Sequence, residues 1–364
     1  MTLEEKIAEV AEEIHTTKYN KATAKAVGLL KAKLARLRGE QELAARKSGG
    51  GGLGYAVKKT GDATVLLAGF PSVGKSTLLN RLTNADSKVA AYDFTTLEVV
   101  PGVLEYKGAK IQLLDVPGII SGAARGKGRG KEVLAVMRNA DLIIVMVDAK
   151  RLDQLGKVSE ELYNANFRLG QKLPDVSIKR KSSGGVHVMS AVKLSNLDAD
   201  FVKQVLKEYS ILNADVVIRD DVTVDQLIDV VVGNRRYIPS IVVLNKADLL
   251  SPQDFARARV DIGGIAISAE RDADLTSLKE AIYGALEFTR IFLKKVGDEA
   301  DTKQPLILRG EPTVRNVCER IHKDFVKKFM YARVWGGSAK FGGQTVGLEH
   351  ILGDSDVVEL HARR

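Results

Sequence analysis

Nine residues restrict the folds open to this chain more than any others: Gly69-Phe70-Pro71-Ser72-Val73-Gly74-Lys75-Ser76-Thr77, a match to G-x-x-x-x-G-K-[ST]. They follow the apolar run TVLLAGF and precede TLLNRLT, whose leucines have helical spacing. A strand that breaks on glycines and restarts at once as a helix leaves unpaired N–H groups at the helix's positive end, a cradle for phosphate. The backbone from Ser72 to Thr77 is expected to wrap a β-phosphate, with Lys75 bridging β and γ oxygens and Ser76 ligating Mg2+.

Around this loop the sequence alternates strands and helices. IQLLDVPG, LIIVMVDA, IVVLNKAD and IGGIAISAE are short apolar runs, each ending in a polar loop. They predict an α/β fold with a mainly parallel sheet whose C-terminal edge carries the ligand loops. Asp115 and Gly118 form a D-x-x-G turn at one such end. Asp115 is expected on Mg2+ through water, and the Gly118 amide facing the γ-phosphate. In YDFTTLEVVPG, Thr96, in preference to Thr95, is the hydroxyl expected to close on Mg2+ when the γ-phosphate is present. The catalytic expectation therefore rests on Lys75, Thr96 and Gly118. A glutamine often follows D-x-x-G to orient the attacking water; here Ile119 stands there.

The tetrapeptide Asn245-Lys246-Ala247-Asp248 selects the base. Asp248 would accept from the N1–H and 2-amino group of guanine, and Asn245 would meet the N7/O6 edge. Adenine has an acceptor at N1 and no 2-amino group, so the carboxylate would be left against a lone pair. Ser268 and Ala269, in the SAE that ends the next apolar run, add an amide toward guanine O6. These ordered motifs predict a GTP/GDP site with Mg2+, and the intact NKAD argues against an ATPase.

One spacing breaks the alternation. About 90 residues separate Ala149 from Ile241, whereas a crossover helix with its loops takes roughly 20–30. The excess predicts an inserted α+β subdomain at 168–238, with VSIKRKSSGGVHVMSAVKLS as a hairpin turning at Ser-Ser-Gly-Gly and KRK as a basic rim. Residues 1–47 read as helices, with Ile7, Val10, Ala11 and Ile14 as one apolar stripe and AKAVGLLKAKLARLR as a second face lined with Lys and Arg. These helices are either a solvated hairpin or a basic arm for RNA. Residues 48–62 are a glycine-rich hinge and 63–289 the nucleotide-binding domain. Residues 290–364, with strands, the helix VRNVCERIHKDFVKKF and further strands, fit a β-grasp module.

A net charge of +9 favours a polyanionic partner, nucleic acid first. The single cysteine, Cys318, rules out an internal disulfide and suits the cytosol. No apolar run approaches the roughly 18 residues of a spanning helix, so no membrane role is expected. The acidic, amphipathic start MTLEEKIAEVAEEIH is unlike a targeting peptide.

GFPSVGKST, AAYDFTTL, DVPGIISGAARGKGRGKEVLAVMRNAD and NKAD together resemble the Obg-related translation-factor GTPases, and within them the developmentally regulated GTP-binding (DRG) family. The resemblance covers nearly the whole chain. It includes the N-terminal helices, an insertion similar to the second domain of a small-subunit ribosomal protein, and a tail, TVRNVCERIHKDFVKKFMYARVWGGSAKFGGQTVGLEHILGDSDVVELHAR, similar to TGS domains. It implies a cytoplasmic switch that slowly hydrolyses GTP to GDP and phosphate and acts on the ribosome or ribosomal RNA in translation or ribosome maintenance. Whether a protein regulator stabilises the chain stays open, and a monomer is expected off the ribosome. The alternative is a GTP-gated RNA-binding scaffold with negligible turnover. Obg-type GTPases carry a hydrophobic residue like Ile119 and position water by backbone, another loop or, in some relatives, K+. Those K+ users carry Asn where this chain has Ser72, so the potassium question stays open. Ser121 stands where an acid is usual, and Arg125 or Arg129 of ARGKGRGK is either a charge stabiliser or part of a basic loop that orders on GTP or RNA.

Overall fold

The computed structural model describes residues 2–18, 20, 23–48, 61–83, 100–115, 136–271 and 274–363. Thr95, Thr96, Gly118, Ile119, Ser121, Arg125, Arg129 and residues 49–60 of the hinge lie outside them. In chain order the described elements begin with α1 (Leu3–Thr16), α2 (Ala24–Ser48), β1 (Ala63–Ala68), α3 (Lys75–Leu82), β2 (Val100–Tyr106), β3 (Ala109–Asp115), β4 (Leu142–Asp148) and α4 (Gln154–Asn164). Next come β5 (Phe167–Leu169), β6 (Val176–Arg180), β7 (Val186–Ser190), α5 (Ala199–Glu208), β8 (Ala214–Ile218), α6 (Val224–Val232) and β9 (Arg236–Ile238). Then follow β10 (Ser240–Asn245), α7 (Pro252–Ile262), β11 (Ile265–Ala266) and α8 (Leu275–Ala285). The C-terminal elements are β12 (Phe288–Lys294), β13 (Leu306–Arg309), α9 (Val314–Ile321), α10 (Lys323–Lys328), β14 (Phe329–Trp335), β15 (Gln344–Val346) and β16 (Asp356–Ala362). The chain divides into two compact units, Met1–Gly54 with Asn166–Tyr237 and Tyr55–Ala165 with Ile238–Arg364.

The second unit is built on a six-stranded sheet of order β11-β10-β4-β1-β3-β2. β1 lies parallel to β3 and β4, and β10 parallel to β4 and β11. Every residue of β1 is buried, which is why ATVLLA is an unbroken apolar run rather than an alternating one. Burying each of Val65, Leu66 and Leu67 contributes about 1.5–3 kcal/mol. Because the five strands run the same way, Asp115, Asp148 and Asn245 all finish at one edge, with Asn245 beside Asp148 in register and Leu67 beside Asp115. The sixth strand, β2, is an antiparallel edge that is not among the apolar runs picked out in the sequence. It turns into β3 at Lys107 and Gly108, both at positive φ (49° and 84°), as a two-residue hairpin requires.

The same unit carries a five-stranded C-terminal sheet of order β13-β12-β16-β14-β15. Ile291, Ala332, Val334 and Val358 on one face pack on Val314, Val317 and Cys318 of α9. Phe288 and Ile307 instead belong to the core of the six-stranded sheet. Arg309 pairs with Asp141 at 2.8 Å and donates to the Asp62 carbonyl at 2.9 Å, while Arg320 reaches the Asp62 carboxylate at 3.2 Å. The helix expected as continuous from 314 to 329 is two helices. His322 between them is extended (φ −166°), and its ring nitrogen accepts from the Asp324 N–H at 3.2 Å, starting α10 afresh.

In the first unit the expected hairpin is not one. The three-stranded sheet has the order β6-β8-β7, with β8 antiparallel to β6 and parallel to β7. Ala214, Val216 and Ile218 of β8 are buried while β6 and β7 are half exposed, so the most apolar strand takes the middle. Lys181 of the basic rim is spent on Asp215 of β8, at 2.6 Å. Helix α2 completes this core: Ala32, Leu29 and Ala35 pack with Phe201, Val205 and Leu227. A Cβ at Gly28 would lie 2.7 Å from the Phe201 ring. The charges lining α2 meet acids of the same unit, Lys25 with Asp198 at 2.5 Å, Lys31 with Asp225 at 2.9 Å and Arg36 with Glu208 at 3.0 Å.

Candidate nucleotide site

The loop after β1 turns back on itself and restarts as α3 at Lys75. Gly74 caps that helix in the left-handed region (φ 96°), and a Cβ there would stand 2.2 Å from the Asn245 amide nitrogen. Only glycine meets both conditions. Ser72 is also left-handed (φ 62°), an uncommon state for a residue with a side chain. Gly69 is buried at the end of β1, Val73 is buried in the core, and Pro71, Ser76 and Thr77 are exposed on the loop and the first turn of α3. Phe70 packs partly against the core.

Lys75 bends over this loop and donates to the carbonyls of Gly69 at 3.1 Å and Phe70 at 3.0 Å. Burial pulls its ammonium below the ordinary lysine range, and the Asp115 carboxylate opposes that pull. Ser76 donates its hydroxyl to Asp115 Oδ2 at 2.8 Å, joining the end of β3 to the start of α3. The other oxygen, Asp115 Oδ1, is buried with no hydrogen-bond partner among the described residues. A buried orphan carboxylate oxygen is costly unless a cation or donor satisfies it. An all-oxygen set of one hydroxyl and one carboxylate is what a hard, partly hydrated Mg2+ takes. The residues present therefore fit that ion.

The NKAD loop stands beside the glycine-rich loop. Asn245 is 3 % exposed. Its amide nitrogen donates to the Val73 carbonyl at 2.8 Å, and its oxygen accepts from the Ala269 N–H at 3.0 Å. The contact expected between that N–H and guanine O6 is thus made here with Asn245, which braces three loops together. Lys246, left-handed at φ 62°, reaches the Ser72 carbonyl at 2.9 Å and the Asp148 carboxylate at 2.7 Å. Asp248 sits in a short 3-10 turn with its carboxylate 3.2 Å from Arg271 Nε. Ser268 is buried, and its hydroxyl accepts from the Arg271 N–H at 3.4 Å.

The structure thus brings together the phosphate loop, Asp115, Asn245, Lys246, Asp248, Ser268 and Ala269; Thr96 and Gly118 lie outside the described residues. Sequence reading missed Asp148 and Arg271. Burial pulls the Asp148 carboxyl up, but the Lys246 ammonium and the Lys150 N–H more than offset this and hold it below the usual carboxylate range. Its signal was available: Asp148 ends an apolar strand at the same sheet edge as Asp115. Nothing local marks Arg271.

The family described as "50S ribosome-binding GTPase" matches residues 64–181, the C-terminal region of the same domain matches 183–288, and the TGS domain matches 289–362. A GTP-binding protein of Methanocaldococcus jannaschii is 54% identical over 369 residues, covering 100% of this chain and 94% of that one. Developmentally-regulated GTP-binding protein 1 of Xenopus laevis is 47% identical, covering 98% of each chain. Developmentally-regulated GTP-binding protein 2 of Homo sapiens is 44% identical, covering 99% of each.

Proposed function

The chain belongs to the developmentally regulated GTP-binding protein family, and from that premise we propose that it is a slow GTPase switch acting on the ribosome or its RNA. The observation that carries the nucleotide part is the bracing by Asn245, which ties the base loop to the phosphate loop through Val73 and Ala269. Asp248 exchanges its contact with Arg271 for the N1–H and 2-amino group of guanine. Lys75 leaves the Gly69 and Phe70 carbonyls for β and γ oxygens, which return to its ammonium the charge that burial disfavours. Ser76 and Asp115, with Thr96, would hold Mg2+, which would supply positive charge to the bound phosphates. The Gly118 N–H would be the donor to the γ-phosphate. With Ile119 where a glutamine would orient water, the phosphate cradle is kept while the final alignment is lost, so turnover alone is slow. Potassium stays outside the proposal, since Ser72 stands where its users carry asparagine.

The ribosomal part is supported by the family description of residues 64–181 and by a net charge of +9. We place the protein in the cytoplasm; no helix among the described residues is long and apolar enough to cross a membrane. The test combines sedimentation with ribosomes under GTP analogue, GDP and no nucleotide with turnover measured with and without ribosomes. Expected are preferential sedimentation with the analogue, faster turnover on ribosomes, and steep loss of binding between about 50 and 200 mM salt. Binding that ignores both nucleotide and salt would remove the switch.

A further inference from the structure

The loop joining β14 to β15, GGSAKFGG at 336–343, is pinned from several sides. Asp356 at its base is fully buried. Its carboxylate accepts from the Ser338 hydroxyl, from the Gly353 N–H at 2.8 Å and from the Ser338 N–H at 3.4 Å. Gly336, at φ 136°, has room for no side chain, since a Cβ would stand 2.1 Å from Asp356 Oδ1. At the far side the Lys340 N–H donates to Gln344 Oε1 at 2.6 Å and the Gly343 N–H to the Val334 carbonyl at 3.0 Å. Gly342 and Gly343 rest against the Trp335 indole, over which Lys294 holds its ammonium at 4.5 Å.

The Ser338 hydroxyl also lies 3.1 Å from His350 Nε2, so the cluster contains the residue types of a hydrolase triad. Its wiring is different. In a triad the carboxylate orients the histidine and the histidine takes the serine proton; here the buried carboxylate holds the serine itself. The cluster is a structural pin.

What this pinned loop presents is Phe341, 66% exposed, beside Lys340. A single exposed phenylalanine on a mobile surface is ordinary. One carried on a loop whose backbone is already ordered loses little further entropy on binding. The same loop and strand pair carry two exposed cations without an acidic partner among the described residues. Lys340 precedes the ring, and Arg333 lies opposite Thr345 in the strand pair that the loop connects. Acids of this sheet and its loops are engaged elsewhere: Asp356 by Ser338 and Gly353, Glu359, opposite Arg333 in β16, by Lys294 and His361, Asp354 by Arg290 and Glu349 by Arg315. An exposed apolar ring on an ordered loop that also carries an unpaired lysine, on a chain of net charge +9, complements a base attached to phosphates.

We propose that Phe341, with Lys340 and Arg333, is a preformed stacking site for an unpaired nucleobase of RNA. This rests on the ribosome- and RNA-directed reading above. The ring takes the base face, and the two cations take the flanking phosphates. Duplex RNA, whose bases are already stacked on one another, does not satisfy it.

The test uses the full-length protein and fluorescein-labelled 15-nucleotide oligo(U) and oligo(A), with a 15-base-pair RNA duplex as the comparison, alongside ribosome sedimentation. Phe341→Ala should weaken single-strand binding by about tenfold, the loss of one stacked base, and leave duplex binding and GTP affinity unchanged. Phe341→Trp should restore binding, and Lys340→Gln should flatten its salt dependence. Equal binding by wild type and Phe341→Ala overturns the stacking site while leaving the ribosomal reading intact. Loss of ribosome sedimentation in Phe341→Ala with oligonucleotide binding unchanged assigns the ring to a ribosomal protein and overturns the base. A wild type that binds neither oligonucleotide nor ribosome removes both.

Discussion

Lys75 at the nucleotide edge and the basic side chains of helix α2 play opposite parts. At the nucleotide edge Lys75 rests on two main-chain carbonyls, with burial working against its charge. On α2, Lys25, Lys31 and Arg36 each face a carboxylate supplied by α5, α6 or their caps. A cation parked on carbonyls gains when a phosphate arrives. A cation already paired with a carboxylate must first give up that partner. Positive charge in a sequence therefore marks an anion site only where the fold leaves it without an acid, and the RNA-arm reading of the N-terminal helices loses three of its charges to internal pairs.

The comparison breaks most visibly at Lys75. Lys75→Ala should lower GTP affinity by roughly a hundredfold or more, since a charge-assisted contact to two phosphate oxygens is lost in a half-buried site. Isothermal titration reads this directly, and retention of affinity within threefold would show that the lysine is not the phosphate ligand.

Asn245→Ala comes next. It strips the acceptor from the Ala269 N–H and the donor from the Val73 carbonyl, leaving two buried groups unpaired at about 1–3 kcal/mol each. Thermal melting of the nucleotide-free protein should therefore fall along with GTP affinity. A variant with normal stability and lost affinity would make Asn245 a pure base ligand.

Asp248→Asn should cost at least tenfold in GTP affinity, about 1.4 kcal/mol, and raise affinity for xanthosine triphosphate. Competition of ATP with GTP at equal strength in the wild type would refute the base assignment outright.

The smallest expected effect sharpens the other side of the comparison. Replacing Lys25, Lys31 and Arg36 together by alanine should lower stability by only about 0–1 kcal/mol per pair. Ribosome sedimentation should change by less than about threefold, because these charges are not free to release counterions from phosphate. A larger loss, with the melting temperature kept, would return α2 to the RNA-binding surface.

The candidate nucleotide edge was legible because each motif is a continuous stretch whose own backbone would meet the ligand. A glycine-rich turn into a helix N-terminus, or an aspartate closing an apolar strand, carries its chemistry wherever it is placed in an α/β sheet. The class of the core followed from the same alternation. Less visible were the partners. Asn245 and Val73 are 172 residues apart, and nothing in NKAD announces that its asparagine will bond a carbonyl of the phosphate loop. The Ser-Ser-Gly-Gly turn looked like a hairpin because local turn chemistry is equally satisfied whether the flanking strands pair with each other or admit a third.

By itself, then, the sequence determined the nucleotide class, the sheet type and the existence of an insertion and a C-terminal module, since periodicity and turn chemistry are local properties. The tertiary structure alone decided which strand sits between β6 and β7, which acids neutralise α2, and that Ile307 and Arg309 of the C-terminal sheet are built into the packing and ion pairs of the core. These are choices among partners far apart in the chain, and they are made by burial. The most apolar strand goes to the centre, three cations of α2 take acids of α5, α6 and their caps, and a buried polar group takes whichever partner the finished fold brings within reach.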